Sequence, residues 1–176
     1  MGCWAATRVP AQETDKAHRK ISANELHQAL VARFPLRFAL PGVFDIQVDE
    51  GGLLLLPQRQ RLGAALLARI TEVSTGHVYS GDLDLTFAVR YEPSDQSLRA
   101  HRLEVLGLRS PDLPADTTRV LQALLDGLAR NAVDEVVLHR FTARELEFTD
   151  VLGLRPGKIT VESDGVEVWF EPKPRQ

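Results

Sequence analysis

Two neighbouring segments alternate apolar and polar residues over about a dozen positions each, and this period limits the possible folds most strongly. The apolar residues occupy the even positions of residues 62–70 and most odd positions of residues 79–89. A β-strand places successive side chains on opposite faces, so each segment is predicted as a strand with one apolar face. Strands of this length span roughly 40 Å, about twice the usual length. An antiparallel pair this long twists and curls, and its apolar face needs a long element to cover it.

A long amphipathic helix is predicted over residues 116–136, where apolar residues recur at helical spacing. At 1.5 Å per residue this helix is roughly 30 Å long, which suits it to cover the curled strands. Charged residues such as Arg119 occupy its other face, so the pattern does not indicate a membrane span. Leu124, Leu125 and Leu128 lie in the middle of the apolar stripe, and we expect at least two of them to be buried.

A shorter helix is predicted near the beginning of the folded part. Ser22 and Glu25 have the spacing of a capping box, Leu26 and Leu30 follow at helical spacing, and Pro35 ends the helix. Together these elements predict an α+β fold, a long and strongly curved antiparallel sheet wrapped around one long amphipathic helix, plus a short N-terminal helix.

Two patterns predict interruptions in the strands. Gly51 and Gly52 separate two apolar segments, so we expect a turn there that leads into residues 53–56. In residues 98–108 the apolar positions change from even to odd numbers. Because a strand keeps one parity on each face, this change predicts a β-bulge or a change of exposed face.

Composition excludes several classes of function. Hydrophobic residues make up 44% and charged residues 26% of the 176 residues, which is typical of a globular chain. The net charge of −3 and the aromatic content of 6% do not favour nucleic-acid binding. No uncharged apolar run approaches the length of about 20 residues that a membrane span needs. One cysteine excludes an internal disulfide and a cysteine-cluster zinc site.

That cysteine, Cys3, lies almost at the beginning of the chain, directly after Gly2. Glycine is a small residue of the kind that signal peptidase requires before an acylated cysteine. Residues 1–20 are therefore interpreted as a lipid-anchor cysteine with a flexible polar tether, and residues 21–172 as a single domain. The alternative is a stray surface cysteine near a frayed terminus. The basic region and apolar core of a signal peptide do not precede Cys3, so we expect the complete gene to supply them.

The sequence contains no recognisable catalytic or metal-binding motif. The five histidines lie at positions 18, 27, 77, 101 and 139, without an HExxH motif or paired metal-ligand spacing. Asp82 and Asp84 share one strand face and could form a carboxylate pair, although a solvated outer face is favoured. Arg59 and Arg61 form a small basic patch in a loop, where solvation is favoured over a lipid headgroup contact. We therefore expect no catalytic residue, no metal and no cofactor.

Apolar residues predicted to face inward form a candidate ligand groove. A curled sheet and one helix do not fill their own interior, and the remaining groove could take up an acyl chain at about 0.8 kcal/mol per buried methylene. The alternative is an ordinary filled core, which periodicity does not distinguish from a lined tunnel. The candidate groove residues are Phe34, Leu36, Phe38, Leu66, Ile70, Tyr79, Leu83, Leu85, Phe87, Val89, Leu124, Leu125 and Leu128.

The chain resembles the YceB-like family of bacterial lipoproteins over about residues 20–170. The residues that carry the resemblance, in order, are ISANEL at 21–26, FP at 34–35, LPGV at 40–43, GDLDL at 81–85, LQALL at 121–125 and PGKI at 156–159. Their order and spacing together are more specific than any single motif. The resemblance implies a fold like one module of the tubular lipid-binding superfamily, with an elongated apolar cavity, and an acylated cysteine at Cys3.

The expected function follows from these observations. We expect a non-enzymatic lipoprotein of the bacterial envelope that faces the periplasm and binds a lipid or another elongated apolar ligand. Membrane contact is expected through the acylated N-terminus. Trp4 stands where enteric inner-membrane lipoproteins usually carry Asp, which favours the outer membrane. The alternative is a structural or adaptor lipoprotein with a closed core that acts through protein contacts.

Overall fold

The computed structural model describes residues 17–132 and 136–174. The chain forms three helices and nine strands in these ranges, together with a single 3₁₀ turn at Pro57–Arg59. In chain order the elements are β1 (His18–Ser22), α1 (Ala23–Val31), β2 (Leu36–Leu40), β3 (Phe44–Leu56), β4 (Arg61–Glu72), β5 (Val78–Glu92), β6 (Ser97–Arg109), α2 (Ala115–Ala132), β7 (Val137–Arg140), α3 (Ala143–Val151), β8 (Leu154–Glu162) and β9 (Gly165–Pro172). The fold is α+β.

Strands β2 to β7 form one antiparallel sheet in sequential order, and this sheet curls into a half-barrel. Strands β4 and β5 contain 12 and 15 residues, as their long alternating patterns predict. Leu66 pairs with Leu83 and Ile70 pairs with Tyr79, so the apolar residues of both strands lie on one face. The prediction of a long, curled antiparallel sheet is confirmed.

The turn predicted at Gly51 and Gly52 is wrong, because β3 continues through both residues. The pairing of β3 with β4 instead shifts register between Asp49 and Gly52, which is a bulge. Gly51 lies so close to the next strand that a Cβ atom added to it would stand 1.7 Å from the carbonyl oxygen of Ala65. Glycine is therefore required there for a close approach of two backbones rather than for a reversal of the chain.

The bulge predicted in β6 is present. Its pairing with β5 shifts register between Thr86 and Ala88, and Arg102 adopts a left-handed φ of 51°. The Arg61 side chain supports this irregularity: its Nη2 donates to the Arg102 carbonyl oxygen at 2.6 Å, and its Nε donates to the Thr86 hydroxyl oxygen at 3.2 Å. The prediction of Arg61 as a solvated loop residue is therefore wrong, since it lies in β4 and holds a strand bulge.

A second, three-stranded antiparallel sheet has the order β1-β9-β8. Its first strand begins at His18, so the tether assigned to residues 1–20 ends earlier than predicted. The strand begins this early because the backbone of His18 pairs with Trp169 of β9, and the sequence around His18 shows no apolar alternation. Gln60 joins this sheet to the larger one, since its side-chain amide accepts from the Val161 N–H at 2.8 Å and donates to the Val161 carbonyl at 3.1 Å.

Helix α2 spans Ala115–Ala132, so the prediction that it extends to residue 136 is wrong. The carbonyl oxygen of Val136 accepts a hydrogen bond from the Ala100 N–H at 2.9 Å. Val136 is therefore bonded to β6, just before β7 begins, and is not part of the helix. Residues 133–135 lie outside the described part of the chain. None of the described helices is long and apolar enough to cross a membrane.

The buried side of α2 differs from the expected one. Leu125 is buried, but Leu124 and Leu128 are only half-buried, so the expectation that two of these three are buried is wrong. The buried positions described on α2 are Leu121, Leu125 and Ala129, which follow one another at four-residue spacing. Leu128 is half-buried and borders an apolar space between α2 and the large sheet.

Candidate functional site

An apolar cavity lies between the inner face of the six-stranded sheet, helix α2, the end of α1 and the segment that follows α1. Its volume is about 130 Å³. Every residue that lines it is apolar. The lining residues are Leu30, Phe34, Leu36, Phe38, Val48, Ala64, Leu66, Leu83, Leu85, Phe87, Ala100, Leu103, Val105, Leu125, Leu128, Ala129 and Val136.

Alternation along the strands brings these side chains to one wall. Ala64 and Leu66 of β4 lie opposite Leu85 and Leu83 of β5, so four lining residues form two adjacent cross-strand pairs. On β6, Val105 pairs with Leu85 and continues the same wall. The cavity wall is therefore a direct consequence of strand register in the centre of the sheet.

Small side chains account for the empty space. Ala64 on β4, Ala100 on β6 and Ala129 on α2 line the cavity from three different elements. All three are buried, so their short side chains leave space beside them that a larger apolar side chain would fill. A leucine at any of these positions would project into the cavity. The cavity thus depends on where alanines lie, as much as on the large residues around it.

The cavity reaches the surface beside the edge strand β2. Leu36 lines the cavity but is 37% exposed, and Phe34 is half-buried. On the opposite side, Leu128 and Val136 line the cavity and are also half-buried. An apolar chain could therefore enter between β2 and α2 without passing a polar group in the lining.

Nine of the predicted groove residues line the cavity: Phe34, Leu36, Phe38, Leu66, Leu83, Leu85, Phe87, Leu125 and Leu128. Four do not. Ile70 is buried next to its cross-strand partner Tyr79, whose ring lies 4.5 Å from the ring of His77. Val89 and Leu124 pack partly buried against the core. These four residues support the walls but do not contact the empty space.

Sequence reasoning missed eight lining residues: Leu30, Val48, Ala64, Ala100, Leu103, Val105, Ala129 and Val136. Leu30 lies on the apolar face of a predicted helix, and Val48 lies on the apolar face of a predicted strand. The periodicity of these two segments could therefore have identified both residues as facing inward. The alanines carry no such signal, because a small apolar residue fits a filled core equally well.

The geometry suits a narrow hydrocarbon. A volume of about 130 Å³ is below the range of roughly 300–1,000 Å³ that drug-sized ligands occupy. The lining offers no hydrogen-bond partner, so a polar headgroup would have to stay outside. The cavity can hold part of one acyl chain, and each methylene that it removes from water contributes about 0.8 kcal/mol.

The carboxylate pair considered at Asp82 and Asp84 lies on the outer face of β5. Asp84 forms an ion pair with Arg109, and Asp82 is exposed. Among residues 17–132 and 136–174, no group of three or more His, Cys, Asp or Glu side chains could hold a metal ion. Cys3, the predicted acylation site, lies outside the described residues.

A charged cluster lies away from the cavity, between β1, α1 and α3. The Arg19 guanidinium donates to Glu145 at 2.9 Å and to Glu25 at 3.2 Å, and the His139 ring nitrogen lies 3.3 Å from Glu145. Burial alone would raise the pKa of the Glu145 carboxyl, but hydrogen bonds from the Thr142 backbone N–H and from Arg19 outweigh burial and lower the pKa to about 2. The cluster joins β1, α1, β7 and α3.

Comparison with protein-family models gives no match, and comparison with curated proteins gives none either.

Proposed function

We propose that this protein is a non-enzymatic envelope lipoprotein that holds part of an acyl chain or a similar elongated apolar group between its curled sheet and α2. One observation carries the proposal: an internal cavity whose lining is entirely apolar and which reaches the surface beside β2. A filled core would leave no such space, because protein interiors are close-packed. The resemblance to the YceB-like family supports the same function.

In the proposed architecture the six-stranded sheet wraps around α2, and α1 covers one end of the interior. The lining supports this arrangement, because it draws Leu66 from the sheet, Leu125 from α2 and Leu30 from α1. A ligand chain would then contact all three elements at once. Binding is expected to stabilise the fold, since a ligand that binds only the folded state raises the free energy of unfolding.

The protein is further proposed to be acylated at Cys3 and to face the periplasm, with the outer membrane favoured over the inner one. The support comes from Gly2 and Trp4 on either side of the cysteine, and from the family resemblance. In this arrangement the acylated terminus holds the domain at the membrane, where a lipid ligand is available.

Native mass spectrometry of the Cys3→Ser protein, which carries no covalent lipid and is purified without detergent, tests the proposal. We expect a population heavier than the polypeptide by the mass of one lipid. The same preparation should bind a fluorescent fatty acid that an unlabelled long-chain fatty acid displaces. A polypeptide of bare mass that also fails to bind the fluorescent probe would contradict the proposal.

A matched pair of variants locates the binding. Ala64 lines the cavity, whereas its neighbour Ala65 is exposed on the other face of β4. Ala64→Leu should fill the cavity and weaken probe binding, and Ala65→Leu should leave probe binding unchanged. Equal binding by the two variants would place the ligand elsewhere.

The alternative function is an adaptor lipoprotein that acts through protein contacts. The observation that favours it is the modest cavity volume of about 130 Å³, which is small for a lipid carrier. An adaptor would be recovered free of lipid and bound to another envelope protein, and both Ala64→Leu and Ala65→Leu would leave that association intact.

A further inference from the structure

Helix α3 exposes apolar side chains on the face that points away from the core. Phe148 is 67% exposed, Val151 is 81% exposed and Leu152, at its C-cap, is 53% exposed. These three residues lie at positions i, i+3 and i+4, so they form one contiguous surface, here called the α3 patch. The opposite side of the same helix is buried through Leu146 and Thr149. Helix α3 is thus apolar on both sides, and core packing accounts for only one of them.

The described chain begins beside this patch. The carbonyl oxygen of Ala17 accepts a hydrogen bond from the Phe170 N–H at 2.9 Å. Ala17, Phe148 and Phe170 line the same surface depression. Covalent continuity therefore requires that the preceding residues join the domain next to the α3 patch.

We propose that the α3 patch docks on the surface of a lipid bilayer and orients the domain there. The inference rests on the proposed acylation of Cys3, because that anchor defines what the domain is tethered to. Thirteen residues, 4–16, lie between Cys3 and Ala17, and an extended chain over this separation of 14 positions spans at most roughly 50 Å. The patch beside the attachment point is then the apolar surface that the tether brings nearest to the membrane.

The charges around the patch favour apolar insertion over attraction to anionic lipid headgroups. Arg144 and Glu147 are exposed on the same helix and carry opposite charges. The Asp150 carboxylate is paired with the Lys173 ammonium at 3.0 Å. Since this surface carries no excess of positive charge, docking is expected to depend weakly on salt and on the fraction of anionic lipid.

A second copy of the chain is a less suitable occupant. Stable protein interfaces bury about 800 Å² on each partner, whereas an aromatic side chain buries at most about 250 Å². Three side chains from one short helix fall well below that area. A bilayer needs no matching surface, and a few apolar side chains next to an anchor are sufficient to fix an orientation.

The single cysteine makes the test possible without natural acylation. Cys3 of the purified full chain is coupled to a maleimide lipid in phosphatidylcholine vesicles, and hydrogen exchange of the α3 amides is measured. We expect exchange at residues 148–152 to slow several-fold when the protein is tethered. The double variant Phe148→Asp, Val151→Asp should lose this protection in the tethered state.

Val120→Asp is the matched control, because Val120 is a helix-surface residue with a similar exposure of 53%. It should retain the protection of α3. Equal protection in the double variant and the control, or protection that appears equally without tethering, would overturn the docking proposal. Concentration-dependent protection in the absence of vesicles would assign the patch to self-association instead, which also overturns it.

Failure of this inference is distinguishable from failure of the proposed function. Chemical coupling replaces the natural anchor, so the result does not depend on acylation in the cell. Binding of the fluorescent fatty acid to the same variants reports on the cavity, which the α3 patch does not line. Loss of docking with unchanged probe binding would contradict the docking proposal and leave the ligand proposal intact. Loss of probe binding with normal docking would contradict the ligand proposal and leave the docking proposal intact.

Discussion

Arg19 and Glu145 are joined by a hydrogen bond of 2.9 Å between the Arg19 Nε and a Glu145 carboxylate oxygen, although they lie 126 positions apart in the chain. Glu145 is also the N3 residue of α3, where its other carboxylate oxygen accepts from the Thr142 N–H at 2.7 Å. One carboxylate therefore caps α3 and ties it to the first strand of the small sheet. Charge on this group stabilises the connection between the two ends of the domain.

Acid is expected to weaken the fold through Glu145. Its pKa is about 2 in the folded protein, against an ordinary value of 4.5. Because the folded pKa is the lower one, the stabilisation is complete above pH about 4.5 and is lost as the pH falls toward 2. Because the Glu145 carboxylate is partly accessible to solvent, screening leaves a contribution to the free energy of unfolding on the order of 1–2 kcal/mol. Urea denaturation at a series of pH values measures it.

Glu145→Gln should lower stability at neutral pH and flatten the decline of stability between pH about 4.5 and 2. Glu147→Gln is the control, since Glu147 is exposed on the same helix. This substitution removes the same charge but does not disturb the capping contacts. A steep acid decline that persists in Glu145→Gln would show that other carboxylates govern it, with Glu25 the first to examine because its pKa is also lowered.

Gly51→Ala should destabilise the protein, and Gly52→Ala should have little effect. A Cβ atom at position 51 would stand 1.7 Å from the Ala65 carbonyl oxygen, whereas a Cβ atom at position 52 would have no other heavy atom within 4 Å. Separation of β3 from β4 at this point is expected to cost about 1–3 kcal/mol, as in other overpacked sites. Thermal melting of the two variants distinguishes a backbone contact from a turn. Equal melting temperatures would contradict the bulge.

The curled antiparallel sheet could be predicted because its signal is local and repeated. Alternation over β4 and β5 determines which side chains share a face, and the register that follows pairs Leu66 with Leu83. The change of parity in β6 likewise predicts a bulge, and Arg102 adopts a left-handed backbone conformation there. Each of these features can be recognised from the sequence of one or two strands.

Other features depend on contacts between distant residues and leave no local signal. His18 is a strand residue only because β9 pairs with it, and the sequence around it shows no alternation. Gly51 is required by the approach of Ala65, which becomes apparent only when the two strands are paired. The alanines that create the cavity lie on three separate elements, so the space between them has no counterpart in any single segment.

Leu125→Ala should lower the free energy of unfolding by about 2–5 kcal/mol, the usual range for a buried leucine. Leu125 is buried and also lines the cavity, so an enlarged void is expected to form at the substituted site. Val120→Ala on the same helix is the control, because Val120 is largely exposed and should change stability very little. A negligible effect of Leu125→Ala in chemical denaturation would mean that α2 is peripheral to the core.

Cys3→Ser tests the anchor in the cell. With the complete gene expressed in a bacterium, the wild-type protein should fractionate with membranes and incorporate labelled palmitate. The serine variant should appear in the soluble periplasmic fraction, because serine does not accept the thioether-linked lipid. Unchanged fractionation of the variant, or a mature N-terminus without acyl groups, would contradict acylation at Cys3.

Leu85→Trp should block acyl-chain binding and leave the fold largely intact. Leu85 lines the cavity from the centre of β5 and is only half-buried, so an indole ring has empty space to enter. Ile70→Trp is the contrasting variant, since Ile70 is fully buried and does not line the cavity. There the larger ring overpacks the core, at an expected cost of about 1–3 kcal/mol.

Thermal melting and binding of a fluorescent fatty acid, measured on both variants, distinguish a tunnel from a filled core. For a tunnel, Leu85→Trp melts like the wild type but loses the probe, whereas Ile70→Trp melts earlier and retains the probe below its melting temperature. For a filled core, both variants melt early, and the wild type does not bind the probe at all. That second pattern would contradict the lipid-binding proposal and support the adaptor, because the space at Leu85 would then be closed in solution.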